Sequence, residues 1–223
     1  MIKKLKKIDF EEFYQTNEFV AKTSPMRTHY HSANPAEKWL WKQKKIEIKK
    51  IIKSISVKNI ADLGCGDCGM LELIPENIDY QGIDISPTQI EYARKVIKKD
   101  GRKNASVSID DILDLKIKDN SFESALLCDV IEHVLDPQKL FNEVKRIVKQ
   151  DGYIILSIPN EFMWEAIRAM LLRFPLRSPD HINSVQPKDI ENNFKKIEKQ
   201  IFIPLRFSSQ FSLIQIFVIR NVK

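Results

Sequence analysis

The chain has 223 residues, enough for one domain of generous size with a real buried core, and its 43% hydrophobic and 30% charged residues are ordinary for a globular protein. Three cysteines, an odd number, argue against a disulfide framework and for a reducing, cytoplasmic setting. The lysine-rich start turns acidic at Asp9, Glu11 and Glu12 where a secretory signal would turn apolar, and no run approaches the ~18 apolar residues of a membrane span.

Residues 1–35 read as an N-terminal arm or cap with one short helical piece over Phe10–Phe19, and residues 36–223 as the main domain. Ala36–Ser54 carries Trp39, Leu40, Ile46, Ile51 and Ile52 among lysines, the spacing of an amphipathic helix. Strands and helices then alternate. Lys58–Leu63 and Asp79–Ile83 predict strands, and a helix starts at Pro87 behind Ser86, a good N-cap. Ser106–Ile109 and Phe122–Cys128 predict strands and Pro137–Lys149 a helix. Asp151-Gly152 is a turn signal before the apolar strand Tyr153–Ile158. Such alternation argues for an α/β fold, a parallel sheet with helices on both faces. After the helix Pro187–Phe194, the extended segments Ile197–Pro204 and Phe211–Arg220 follow with no helix between them, so the last strand is expected to run against the others.

After the first strand the chain reads Asp62-Leu63-Gly64-Cys65-Gly66-Asp67-Cys68-Gly69. Glycines 64, 66 and 69 fit G-x-G-x-x-G, and Asp84 ends the next strand, where an acid binds ribose hydroxyls. On these residues alone NAD and S-adenosylmethionine are equal readings. Asp62 favours the second, since a carboxylate two residues before the first glycine repels a pyrophosphate and attracts an α-ammonium. The Asp110-Asp111 pair after the third strand adds an acceptor for an adenine amino group, with the backbone N–H and apolar side chain of Ile112 beside it.

Here the chain resembles the class I S-adenosylmethionine-dependent methyltransferases. Ala61–Gly66 is similar to their motif I, and Gln81-Gly82-Ile83-Asp84-Ile85-Ser86 to their ribose-binding segment. Asp114-Leu115 with Asp119–Glu123, the run Asp129-Val130-Ile131-Glu132-His133-Val134, and Asp151-Gly152 through Ser157–Asn160 resemble the segments around the fourth and fifth strands. The likeness runs closely from Ala36 to Asn160 and loosely over the last two strands. One departure is Cys68, where the family usually has its third motif-I glycine. The resemblance implies a Rossmann-like, doubly wound, seven-stranded sheet, mostly parallel with an antiparallel last strand. It implies that Asp62, Gly64, Cys65 and Gly66 hold the methionine end of the cofactor, Asp84 and Ile85 the ribose and adenine edge, and Asp111 and Ile112 the adenine. Cys128 is then expected near the sulfonium.

Methyl transfer to a hydroxyl needs alignment and a base, and a histidine is the usual base near neutrality. Of His29, His31, His133 and His181, His133 adjoins the expected cofactor site and is the first candidate, with Glu132 beside it. Glu132-His133 is also read as a brace for its loop. No metal is expected as the first reading. The alternative set is Asp129, Glu132, His133 and His181, which would suit Mg²⁺ or Mn²⁺ and resembles metal-dependent O-methyltransferases of quinone biosynthesis and of small-RNA 3′ ends. Cys65-x-x-Cys68 lies inside the cofactor turn with no second pair, so it is not read as zinc.

Residues 161–185 read as a substrate lid, with Phe162, Met163, Trp164, Ile167, Met170, Leu171, Leu172 and Phe174 interrupted by Arg168, Arg173 and Arg177. Packing of an amphipathic helix explains the same stripe. The N-terminal arm, with Tyr14, His29, Tyr30 and His31, is placed on the other side. A small-molecule acceptor, methylated at oxygen, is the leading expectation, and no Asn-Pro-Pro-Tyr-type N-methylation motif is present. An RNA methyltransferase is the alternative. The net charge of +6 favours it, but the lysines are scattered beside glutamates as on solvated faces, so nucleic acid is the less favoured partner. An NAD-dependent oxidoreductase and a non-catalytic cofactor-binding module complete the set.

Overall fold

The computed structural model describes residues 2–4, 8–23, 34–172, 174–177, 181–204 and 210–223. In chain order the elements are β1 (Lys3–Lys4), α1 (Phe10–Thr23), α2 (Pro35–Ser54), β2 (Asn59–Leu63), β3 (Asp79–Asp84), α3 (Pro87–Asp100), β4 (Ala105–Ile109), β5 (Phe122–Cys128), α4 (Pro137–Ile147) and β6 (Val148–Pro159). These are followed by α5 (Glu161–Met170), β7 (Asn183–Ser184), α6 (Pro187–Asn193), β8 (Ile197–Ile203) and β9 (Ile214–Arg220).

Seven strands form one sheet in the order β4-β3-β2-β5-β6-β9-β8. From β4 to β6 all neighbours pair parallel, while β9 is antiparallel to both β6 and β8. The ten or so residues joining β8 to β9 are too few for a crossover helix, so one reversed strand is the available solution. Both faces of the sheet are covered. Leu126 and Ile155 face the layer of Ile48, Ile52 and Ile90 from α2 and α3. Their neighbours Leu127 and Ile154 face Leu140, Phe141 and Val144 of α4 and Ile190 of α6. Alternation along each strand thus sends successive apolar side chains to opposite layers, which is why these strands read as unbroken apolar runs. The order of the strands reverses between β2 and β5, and the crevice beyond their carboxyl ends is where open α/β sheets hold ligands.

Helix starts follow local chemistry. α2, α3 and α4 each begin with proline behind a side chain that accepts a backbone N–H: Asn34, Ser86 and Asp136. α3 ends at Gly101, whose φ of 85° suits a residue without Cβ.

Two features depart from or add to the sequence reading. The helix expected over Pro137–Lys149 stops at Ile147, and Asp151-Gly152 is not a turn before a strand but a bulge inside β6. β6 takes five steps from Val148 to Tyr153 while β5 takes two from Phe122 to Ser124, so three extra residues are accommodated, with Asp151 at φ 59°. Asn221 holds the bulge. Its buried amide donates to the carbonyls of Lys145 at 3.0 Å, Val148 at 2.8 Å and Lys149 at 3.2 Å, and its backbone N–H to Gly152 O at 2.8 Å. Second, β1 pairs with β7 in a small antiparallel ribbon, Lys3 opposite Ser184 and Lys4 opposite Asn183, which ties the start of the chain to the segment after α5. Two-residue strands leave no periodic trace in a sequence.

Asn221→Ala removes the shared donor from three carbonyls. The expected cost is about 1–3 kcal/mol of unfolding free energy in urea titrations, and an unchanged midpoint would contradict this role.

Candidate functional site

The turn after β2 is built from residues that tolerate left-handed backbone. Gly64, Gly66 and Cys68 have φ of 71°, 53° and 63°. A Cβ on Gly64 would lie 2.7 Å from Val130 Cγ2, so the turn and the loop after β5 are in contact only because that side chain is missing. The third left-handed position falls on Cys68, where the family pattern has glycine, and Gly69 is not left-handed; the departure keeps the backbone shape with a cysteine whose Sγ lies 3.3 Å from the Tyr80 hydroxyl oxygen.

Asp84, at the end of β3, fixes this turn from the side. Its two carboxylate oxygens accept the N–H of Gly66 at 2.8 Å and of Ser86 at 2.9 Å. Burial raises its pKa against these bonds. Each oxygen keeps a lone pair for a further donor. Asp111 likewise accepts the N–H of Leu113 at 2.9 Å, whereas Asp110 is turned into its own loop by the N–H of Lys116 at 3.0 Å.

A cavity of about 310 Å³ opens over these groups. Gly64, Gly66, Asp84, Ile85, Asp111 and Ile112 line one part of it, and Trp41, Glu132, His133, Trp164, Arg168 and His181 another, so cofactor candidates and catalytic candidates share one space. Asp62, Cys65 and Cys128 do not line it. Asp62 is 2% exposed and accepts the Tyr80 hydroxyl at 2.7 Å, and burial drives its pKa up to about 7. Cys65 packs under the turn against Gly82, and Cys128 is buried with its thiol pushed up to about 12 by desolvation. Any contact of these three with a ligand in the cavity is limited to backbone or to a field from below.

The N-terminal helix closes one wall. Phe10, Phe13, Asn17, Val20 and Ala21 of α1 line the cavity. Its Glu18 accepts hydroxyl bonds from Ser86 and, at 2.7 Å, from Thr88, at the start of α3. Tyr14 is on α1 but not among the lining residues, and His29, Tyr30, His31 and Arg173 lie outside the described residues. α5 contributes Glu161, Trp164 and Arg168 to the lining, with Trp164 pinned by a bond from its indole N–H to Leu213 O at 3.1 Å. Met163, Trp164 and Ile167 pack on the core, while Phe162, Met170, Leu171, Leu172 and Phe174 are exposed.

After β5 the chain enters a short 3-10 turn, Ile131–His133. Here Glu132 is 1% exposed, its Oε2 has no hydrogen-bond partner, and burial, aided by Asp129, pushes its pKa up to about 8. His133 and His181 meet edge to face, ring centroids 4.7 Å apart. Ile182 N donates to Glu132 O at 2.9 Å, and His181 Nδ1 bonds the Glu161 carboxylate. Glu132, His133 and His181 each bring one ligating atom within 4.8 Å of the others. Asp129 stands apart from that trio, bonded to Lys44 and to the Ser157 hydroxyl. Lys44, Glu18, Trp41 and Glu161 were not singled out by the sequence; an interior lysine or glutamate on a helix carries no pattern that separates it from a solvated one.

A family model described as a methyltransferase domain matches residues 56–208. Norajmaline N-methyltransferase of Rauvolfia serpentina is 31% identical over 102 residues, 44% of this chain and 35% of that protein. The ubiquinone biosynthesis O-methyltransferase of Dechloromonas aromatica is 23% identical over 147 residues, 61% of this chain and 62% of that protein. The matches thus span only about a third of the length of the plant relative. Among solved structures, the N-methyltransferase NodS from Bradyrhizobium japonicum, in complex with S-adenosyl-L-homocysteine, superposes with a TM-score of 0.67 at 16% identity. That superposition covers 95% of this chain and 99% of that one and speaks for the fold. No helix among the described residues is long and apolar enough to cross a membrane.

The buried acids make a pH prediction. Asp62 and Glu132 titrate near 7 and 8 when folded, above the roughly 4 of an unfolded chain, so the folded state binds more protons across that window. Their contribution is therefore most favourable below about pH 4 and is lost as pH rises to about 8, at most about 1.4 kcal/mol per pH unit for each group. Thermal melts from pH 5 to 8.5 should show Glu132→Gln losing less stability with rising pH than the parent; parallel curves would contradict the assignment.

Proposed function

Since the chain belongs to the family of class I, S-adenosylmethionine-dependent methyltransferases, we propose that it methylates a small-molecule acceptor at oxygen, with His133 as the base. The observation that carries this reading is the single cavity running from Asp84 and Asp111 to His133. S-adenosylmethionine supplies the methyl group on a positively charged sulfur. Gly64 and Gly66 let the backbone come close to it, Asp84 accepts from the ribose hydroxyls, and Asp111 with Ile112 holds the adenine. The fit is supported by the unused lone pairs of Asp84 and by the apolar Ile85 and Ile112 beside them. His133 would take the acceptor's proton as the O–CH3 bond forms and the S–CH3 bond breaks, leaving neutral S-adenosylhomocysteine, with the His181 ring packed edge to face on it. α1 and α5 act as covers that keep water out, with Trp41 and Trp164 as flat apolar walls for the acceptor.

The charge of the cavity supports a small molecule over a nucleic acid. Among the described residues, Glu37, Asp84, Asp111, Asp129 and Glu161 line it against one guanidinium, Arg168. A phosphate backbone or a dinucleotide's pyrophosphate would be repelled there.

A second reading is favoured by the trio Glu132, His133 and His181, a donor set that suits a divalent cation binding the acceptor's oxygens. It differs from the first in that His133 would be a ligand and not a base.

The test is transfer from labelled S-adenosylmethionine to a panel of phenols, catechols and amines. His133→Ala should lower the rate about 10²–10⁴-fold with cofactor affinity unchanged. Methylation of phenols at the parent rate by this variant would overturn the base assignment. Loss of activity in chelator, restored by Mg²⁺ or Mn²⁺, would establish the second reading instead.

A further inference from the structure

Lys44 is an interior cation with no exposure at all, an uncommon place for a lysine. Its ammonium bonds the Asp129 carboxylate and lies 5.0 Å from the centroid of the Trp41 ring. Asp129 and Trp41 both line the cavity, while Lys44 sits behind them. Burial works to discharge the ammonium, but the carboxylate of Asp129, with Cys128 and Glu132 adding, outweighs it and the pKa ends above a lysine's ordinary value. A buried ion pair is often no more stabilising than apolar residues of the same volume. Stability alone is therefore a weak reason for this one.

Asp129 is held from other directions as well. Its N–H donates to Ser157 O at 3.1 Å, and its Oδ1 accepts the Ser157 hydroxyl at 2.9 Å. Its φ of 56° is left-handed, a conformation that costs a non-glycine residue energy and persists where surrounding bonds impose it. The next residue, Val130, is the one packed onto Gly64. The carboxylate is thus fixed beside the glycine turn, with 22% of its side chain exposed and a lone pair left on each oxygen. Asp62, the sequence's candidate for an α-ammonium, is under the turn and taken by Tyr80.

We propose that Asp129 receives the α-ammonium of the cofactor's methionine portion and that Lys44 is the buried positioning residue that holds Asp129 in place. The inference rests on S-adenosylmethionine being the cofactor. It assigns the negative pole of the methionine site to the loop after β5 and its counter-ion to α2. Lys44 neutralises part of the pole without entering the cavity, so the ligand's ammonium meets an oriented but not excessive negative charge.

Calorimetric titration with two ligands tests it: S-adenosylhomocysteine, which carries the α-ammonium, and 5′-methylthioadenosine, which keeps the nucleoside and thioether but lacks the amino-acid end. Lys44→Met and Asp129→Asn should each weaken the first about 10-fold or more and leave the second within about twofold. The double variant leaves no unpaired charge in the interior and guards against a folding defect; it should bind both ligands as Asp129→Asn alone does. Equal weakening of both ligands would make Lys44 and Asp129 merely structural, and unchanged homocysteine binding would remove Asp129 from the site; either overturns the inference. A parent protein that binds neither nucleoside would overturn the cofactor reading itself, and this inference with it.

Discussion

The Asp84 carboxylate accepts one backbone N–H from the glycine turn after β2 and another from the start of the segment after β3. Two neighbouring strand ends are thereby locked to one charged group, in the crevice where the sheet changes direction. Everything that makes a ligand site there depends on this lock. Without it the left-handed residues at 64, 66 and 68 would have no reason to hold one conformation, and the contact between Gly64 and Val130 would not fix the loop carrying Glu132 and His133. The helix that closes the site is anchored one residue pair further on, through Glu18 on Ser86 and Thr88. The turn, the loop after β5 and the cover are three dependants of one strand end.

Charge organises the cavity around that lock. Several carboxylates converge where a cationic sulfonium compound is to be held, and the interior balances them unevenly. Asp62 and Glu132 are pushed toward their neutral forms by burial, whereas Asp129 has a buried lysine behind it. The site thus separates its acids into buried ones that give up charge and one that is paired and fixed. Such differences between like groups are a common means of giving chemically identical side chains distinct tasks.

The sheet was largely legible in the sequence because β6 and β9 carry apolar runs, because α2, α3 and α4 start at proline behind a capping side chain, and because residues 204–213 leave no room for a crossover. β5 was read at its observed bounds, and Ser86 caps α3 as expected. What escaped depends on contacts far apart in the chain. Asn221 stabilises a bulge some seventy residues before it, which turned an apparent helix end and turn at 147–152 into continuous strand. Of the candidate site, Gly64, Gly66, Asp84, Ile85, Asp111, Ile112 and His133 were legible from position relative to strand ends, and all line the cavity. Asp62 was read by position too, yet its side chain turned inward because Tyr80, on the adjacent strand, offers a hydroxyl in the core. Lys44 was invisible, since nothing in a lysine-rich amphipathic helix distinguishes the one lysine that points inward.

The most direct test of the central claim is calorimetric titration with S-adenosylmethionine and NAD, on the parent chain and on Asp84→Ala. Binding of S-adenosylmethionine that is lost in the variant, with no response to NAD in either, is the result expected of a site organised by Asp84 for a sulfonium cofactor. Binding of NAD with no response to S-adenosylmethionine would contradict it and return the glycine turn to a dinucleotide.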